Sequence, residues 1–281
     1  MTGERRSELA GANGLDESSL LLLEGLGALP GIEGKAAARA GDLVRQRLMR
    51  RAAQSVRAAA AFHTVRGELG WLSGSAGVRS RWLYQSRSGR ALRAGEPLRA
   101  RLLALAPDAR CGLALELPTA RCEWLVMVGD VRIDGLPLAV RDYHVTVARG
   151  GAFALSSSGG ALLYLREAEP PDDDFVAHTA RDSELPWLAH APGIERRVLW
   201  QRGSESALLY RVQPGGAVPH HGHGHDEECL MLEGEVFIDD ILLRRGEYQL
   251  APAGTHHEGV SSDTGGILYA HGDIDLAVTR P

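Results

Sequence analysis

The sequence predicts an all-β protein of two tandem domains, preceded by an α-helical N-terminal segment. Three observations point there. After residue 66 the chain becomes a train of short β-like runs broken by Gly, Pro and Asp. Before it lies a long alanine-, leucine- and arginine-rich stretch, and residues 68–85 recur without gaps at 184–201. Many short strands at regular spacing suit sandwiches and barrels. A chain of 281 residues has room for about two domains.

The elements follow in order. Asp16 before "ESSLLLLEGLGAL" reads as the N-cap of a short helix ending near Gly31. "KAAARAGDLVRQRLMRRAAQSVRAAAAFH" has no proline and reads as a long helix. Val44, Leu48, Ala52, Val56, Ala59 and His63 would form its apolar stripe. Between residues 35 and 66 there are eight Lys or Arg and one acid, and Arg47, Arg50, Arg51 and Arg57 share the opposite face. That face is either a solvated helix surface or a docking surface for an acidic partner. This segment is assigned to residues 1–66.

Runs such as "RLLALA", "EWLVMVG" and "YHVTVA" mark a first β domain at 67–166. "EAEPPDDD" opens a linker at 167–183, and "ALLYRV", "CLMLEG", "EVFID" and "GILYA" mark a second β domain at 184–281. The two are copies. "ELGWLSGSAGVRSRWLYQ" and "ELPWLAHAPGIERRVLWQ" agree at eight of eighteen positions, including Trp71/Trp187, Gly77/Gly193 and Arg81/Arg197. "HTVRGE" and "HTARDSE" repeat just upstream. Two copies at this period mean a duplicated domain and not a solenoid.

Composition narrows the class. The net charge of −5 gives no global attraction to nucleic acid or acidic lipid. No apolar run reaches the roughly 18 residues a bilayer span needs, and "LLLLEGLGAL" lacks the flanks of a secretory signal. Cys111, Cys122 and Cys229 are scattered and form no C-x-x-C. They read as reduced thiols of a cytoplasmic protein and exclude a cysteine-built zinc knuckle.

The chemistry concentrates in "PGGAVPHHGHGHDEECLMLEG" and "RRGEYQLAPAGTHHEG". Gly215, His221, His223, Glu227 and Gly234 stand at G-x5-H-x-H-x3-E-x6-G, and Gly246, Pro252, Gly254 and His257 at G-x5-P-x-G-x2-H. Both are the motifs of the cupin family, and this chain resembles it. The resemblance implies double-stranded β-helix (jelly-roll) domains, with His221, His223, Glu227 and His257 holding one divalent ion. The residues suit that role. His221 and His223 are two apart and so share a strand face. Three imidazoles and a carboxylate suit zinc, here the first expectation, or iron, manganese or nickel. Glu228 could accept from an imidazole beyond the metal. His225 and His256 fall on non-motif positions and are expected in solvent or in a supporting role, as is His220. In the first copy Glu116, Pro118, Cys122 and Phe153 stand where the ligands stand in the second, so that copy is expected to be metal-free.

"HGHGHDEECLMLEGEV" further resembles the cupin domain of ChrR-type anti-sigma factors. "LVRQRLMRRA…FHTVRGELGWLSGSAGVRSRWL" resembles the connection into it. The resemblance implies a regulator that binds an extracytoplasmic-function sigma factor through N-terminal helices and senses an oxidative or small-molecule signal. Residues 1–66 contain no cysteine and only His63, so the sigma-binding module would work without the family's His/Cys zinc site. A metal-dependent dioxygenase is the alternative, and a binding module without catalysis the third reading. No membrane or direct nucleic-acid partner is expected, and a homodimer is allowed for.

Overall fold

The computed structural model describes residues 35–74, 77–147 and 149–273. The short helix expected at 16–31 lies outside them. The chain divides into two compact units, Met1–Phe62 and His63–Pro281. In the first, the proline-free run forms one helix, Lys35–Ala61. Its apolar positions Val44, Leu48 and Val56 are exposed rather than buried. Arg47 and Arg50 are exposed too, while the side chains of Arg51 and Arg57 lie outside what is described.

The second unit is built almost wholly of antiparallel strands. Residues 71–180 supply a seven-stranded sheet in which Arg121–Gly129 lies between Tyr143–Val147 and Ala161–Ala168. A four-stranded sheet of Arg110–Ala114, Ala152–Ser156, Val131–Ile133 and Leu136–Leu138 accompanies it. Residues 188–273 form most of a ten-stranded sheet, in which Glu227–Ile238 lies between Tyr248–Ala251 and Gly266–Asp273. Period-2 alternation places inward residues in separate cores. Trp124, Val126, Ile133, Phe153 and Leu163 pack in the first half, and Tyr210, Cys229, Met231, Ile238 and Leu268 in the second.

A third core joins the halves. Arg121–Gly129 is buried on both faces because Leu125 and Met127, alternating with Trp124 and Val126, pack with Leu209, Leu230, Leu232 and Leu250. Such a strand reads as continuously apolar, as "EWLVMVG" does. Within this seam lies a charged network. Arg166 binds both Glu123 and Glu228, and Glu228 also accepts from Tyr164 and Tyr248 at 2.7 Å each. Glu123 accepts from Tyr143 at 2.7 Å, and His271 Nε2 lies 3.2 Å from it. All six, Arg166, Glu123, Glu228, Tyr164, Tyr143 and Tyr248, are fully buried.

The halves also exchange short strands. His63–Val65, ahead of the first half, pairs with Tyr248–Ala251 of the second. His178–Ala180, ahead of the second half, pairs with Tyr143–Val147 of the first. Each leading histidine bridges back: His63 Nε2 lies 2.6 Å from the Leu83 carbonyl and His178 Nε2 3.1 Å from that of Leu199. The repeated "HT" dipeptide is therefore a strap. The segment read from sequence as linker contains one of these strands, and the residues read as the end of the helical segment contain the other. Glu167, read as the first linker residue, is buried in Ala161–Ala168 beside Arg99 and Arg101.

Candidate metal centre

Two neighbouring strands and the start of a third build the site. Ala217–Gly222 pairs antiparallel with His256–Ser261, setting His221 directly opposite His257. His223 follows the first strand's end, where its N–H donates to the Thr255 carbonyl at 3.0 Å and its own carbonyl accepts from Gly254 N–H at 2.8 Å. Gly254 takes a φ of 82°, which a side chain would resist. Glu227 then opens the strand Glu227–Ile238.

These elements bring together His221, His223, Glu227 and His257. The His223 ring centroid lies 5.3 Å from that of His221 and 4.7 Å from that of His257, and the His221–His257 separation is 5.5 Å. His223 Nε2 stands 3.2 Å from Glu227 Oε2. Donor atoms of His221, His223 and Glu227 lie within 4.8 Å of one another, close enough to share one ion. The three imidazoles are buried, at 2%, 7% and 1% exposure for His221, His223 and His257, while Glu227 keeps an edge toward solvent.

The electrostatics favour ligation. Burial, reinforced by His257 and His221 and opposed by Glu227, lowers the His223 pKa to about 4. His223 is thus neutral near pH 7, the form that coordinates a metal. Asp239, which the sequence reading missed, orients His257: its Oδ2 lies 3.1 Å from Nδ1. Burial pushes the Asp239 carboxyl upward, but hydrogen bonds from His257 and the Gly259 and Glu258 amides outweigh it and hold the carboxyl below its usual range. An acceptor on Nδ1 assigns the coordinating role to Nε2. The signal was present as the acid pair in "FIDDI", just after the strand that Glu227 begins. Thr255 Oγ1 stands 3.4 Å from His223 Nδ1 in a similar position. Three buried imidazoles, one of them oriented by Asp239, and a glutamate side chain are together a donor set that fits a divalent ion of the zinc class.

Residues 175–276 match the ChrR cupin-like domain. The chain has a cupin-like fold and, over that segment, resembles the ChrR cupin-like domain. Solved cupin-fold structures agree with it along most of their length. Ylba from E. coli shares 12% identity, with a TM-score of 0.59 over 76% of this chain and 93% of that one. AerE from Microcystis aeruginosa shares 16%, with a TM-score of 0.56 over 76% and 100%. The oxalate decarboxylase formate complex from Lactobacillus farciminis shares 11%, with a TM-score of 0.53 over 75% and 88%. At these identities the likeness is one of fold. No curated protein matches the sequence.

The remaining residues singled out from sequence fall elsewhere in the fold. Glu228 does not orient an imidazole of the site. It alternates onto the opposite face of its strand and is bound by Arg166, Tyr164 and Tyr248 in the seam. His225 Nδ1 is in contact with the Asp273 carboxylate, and Nε2 lies 3.3 Å from Ser204 Oγ. His256 is exposed and turned to Glu258. In the first half, Glu116 is exposed and paired with Arg99, Pro118 packs against Gly151, and Cys122 is buried. Phe153 stacks edge-on against Trp124 with centroids 5.0 Å apart. An apolar ring in a buried core thus stands where the second half has His257.

Proposed function

We propose that this protein is a metal-binding bicupin of the ChrR regulatory type, in which only the second barrel carries the ion. The observation that carries the reading is the convergence of His221, His223, Glu227 and His257 inside the segment that matches the ChrR cupin-like domain. Zinc is the ion we assign, and iron, manganese and nickel suit the same donors. The sequence repeat and the paired cores on either side of the seam support the reading of two tandem barrels. The helix Lys35–Ala61 serves as the partner-binding module: exposed Arg47 and Arg50 stand beside exposed Val44 and Leu48, a mixture suited to an acidic partner such as an extracytoplasmic-function sigma factor. A reduced, cytoplasmic setting agrees with three free cysteines and with the absence, among the described helices, of one long and apolar enough to cross a membrane.

The experiment combines metal analysis of protein purified without chelator with recovery of a co-expressed sigma factor. His221→Ala/His223→Ala should lose stoichiometric metal. Deleting residues 1–62 should abolish partner recovery and leave the metal in place, and charge reversal at Arg47, Arg50 and Arg51 should weaken recovery. Sigma factor still recovered after the deletion would end the regulatory reading. The solvent-facing edge of Glu227 supports one rival, a metal-dependent dioxygenase that admits a small substrate there. Oxygen consumption that persists in the deletion variant with iron bound would favour it.

A further inference from the structure

The strands that hold His221 and His257 carry a second set of ligating groups on their other face. Their register sets Pro219 opposite Gly259 and His221 opposite His257. Position 220 therefore lies opposite position 258, and His256 is two residues from Glu258 on the same face. Side chains alternate across a strand, so His220, His256 and Glu258 face outward while His221 and His257 are buried. The His220 and His256 ring centroids are 5.0 Å apart. His220 Nδ1 lies 3.7 Å from Glu258 Oε2, and His256 Nε2 lies 3.5 Å from Oε1. One donor atom from each residue lies within 4.8 Å of the other two.

A contrasting trio shows why this one suits a cation. Glu123, Glu205 and His271 bring their donor atoms equally close. Arg121 and Arg166 already neutralise those carboxylates. A metal ion there would have to displace guanidinium pairs from a buried network and leave those cations without partners. Among the described residues, Glu258 pairs with no Lys or Arg, only with the two histidines.

We propose that His220, His256 and Glu258 form a second, surface site for a divalent transition-metal ion of the zinc class. Two imidazoles and a carboxylate from adjacent strands supply three tetrahedral positions and leave the fourth to water. The strand register places the three Cβ atoms before any ion arrives, so only rotamers need ordering. Exposed side chains lose rotamer freedom when they coordinate, whereas the packed inner histidines have already lost theirs. The surface site is therefore the weaker and the faster to exchange. It rests neither on the regulatory reading nor on occupancy of the buried centre.

Equilibrium dialysis of the tag-free full chain against zinc chloride, with bound metal counted by elemental analysis, tests this. Wild-type protein should take up a tightly held ion and a further one that leaves on dialysis into zinc-free buffer. His220→Ala/His256→Ala, and separately Glu258→Gln, should lose the exchangeable ion and keep the tight one. Zinc should also protect His220 and His256 from diethyl pyrocarbonate, read by peptide mass mapping. Undiminished uptake of the exchangeable ion by the double variant, or its loss in His221→Ala/His223→Ala alone, would overturn the assignment. Because all three residues are exposed, at 45%, 57% and 79% for His220, His256 and Glu258, these substitutions leave the fold intact.

Discussion

At the scale of single residues, Asp239 decides how well the buried centre is made. It sits at a φ of 54°, which Asp and Asn tolerate better than most residues. Asp239→Asn keeps that turn and removes the charge facing His257. Metal affinity should fall about 10–100-fold, as read by competition with a chromophoric chelator. Unchanged affinity would make Asp239 a turn residue and nothing more. The cysteines give a second residue-level prediction. Burial, then neighbouring Glu227, pushes the Cys229 thiol well above its usual range, and burial does the same for Cys122. Reactivity follows the thiolate, so iodoacetamide at pH 8 should leave both unmodified in native protein and label both after unfolding. Rapid native labelling of Cys229 would show that its strand opens.

At the scale of elements, the exchanged strands matter most. His63–Val65 is three residues long, yet it covers the edge strand Tyr248–Ala251, and the adjoining Gly67 N–H donates to Glu247 at 2.7 Å. An uncovered edge leaves backbone donors and acceptors unpaired. Deletion of residues 1–66 should therefore be less stable than deletion of residues 1–62, by about 1–3 kcal/mol. That corresponds to a melting temperature lower by roughly 2–12 °C. Equal melting temperatures would mean the strap contributes nothing. The helix Lys35–Ala61 was legible because alanine, leucine and arginine favour helix locally. The straps were legible only as a repeated dipeptide, since three residues carry no periodicity that names a distant partner.

At the scale of the whole molecule, the seam joins the halves through buried charge. Arg166 is fully buried and bound to both Glu123 and Glu228. Removing one partner from such a group leaves uncompensated carboxylates, at a cost of about 3–5 kcal/mol. Arg166→Ala should lower the melting temperature by roughly 6–20 °C. Arg166→Met/Glu228→Gln should recover part of the loss, because fewer charges are then stranded. A loss below about 1 kcal/mol for Arg166→Ala would fit a surface ion pair instead. Metal content should survive either variant at low temperature, since no metal-site residue contacts Arg166 among the described interactions.

The sequence by itself determined the mostly β class, displayed the repeat of residues 68–85 at 184–201, and named the four residues that stand together in the second half. These rest on local information: strand alternation, glycines that permit turns, and a fixed spacing of His and Glu along two segments. Its account of Glu228 failed, because adjacent residues of a strand face opposite ways and what lies beyond each face is set by another part of the chain. Only the tertiary structure decided that Glu228 belongs to the seam, that Asp239 serves His257, and that each strap crosses to the other half. All three depend on contacts between residues from 18 to 187 positions apart. No local propensity encodes such contacts. They are settled when apolar faces meet and every buried charge must find its partner.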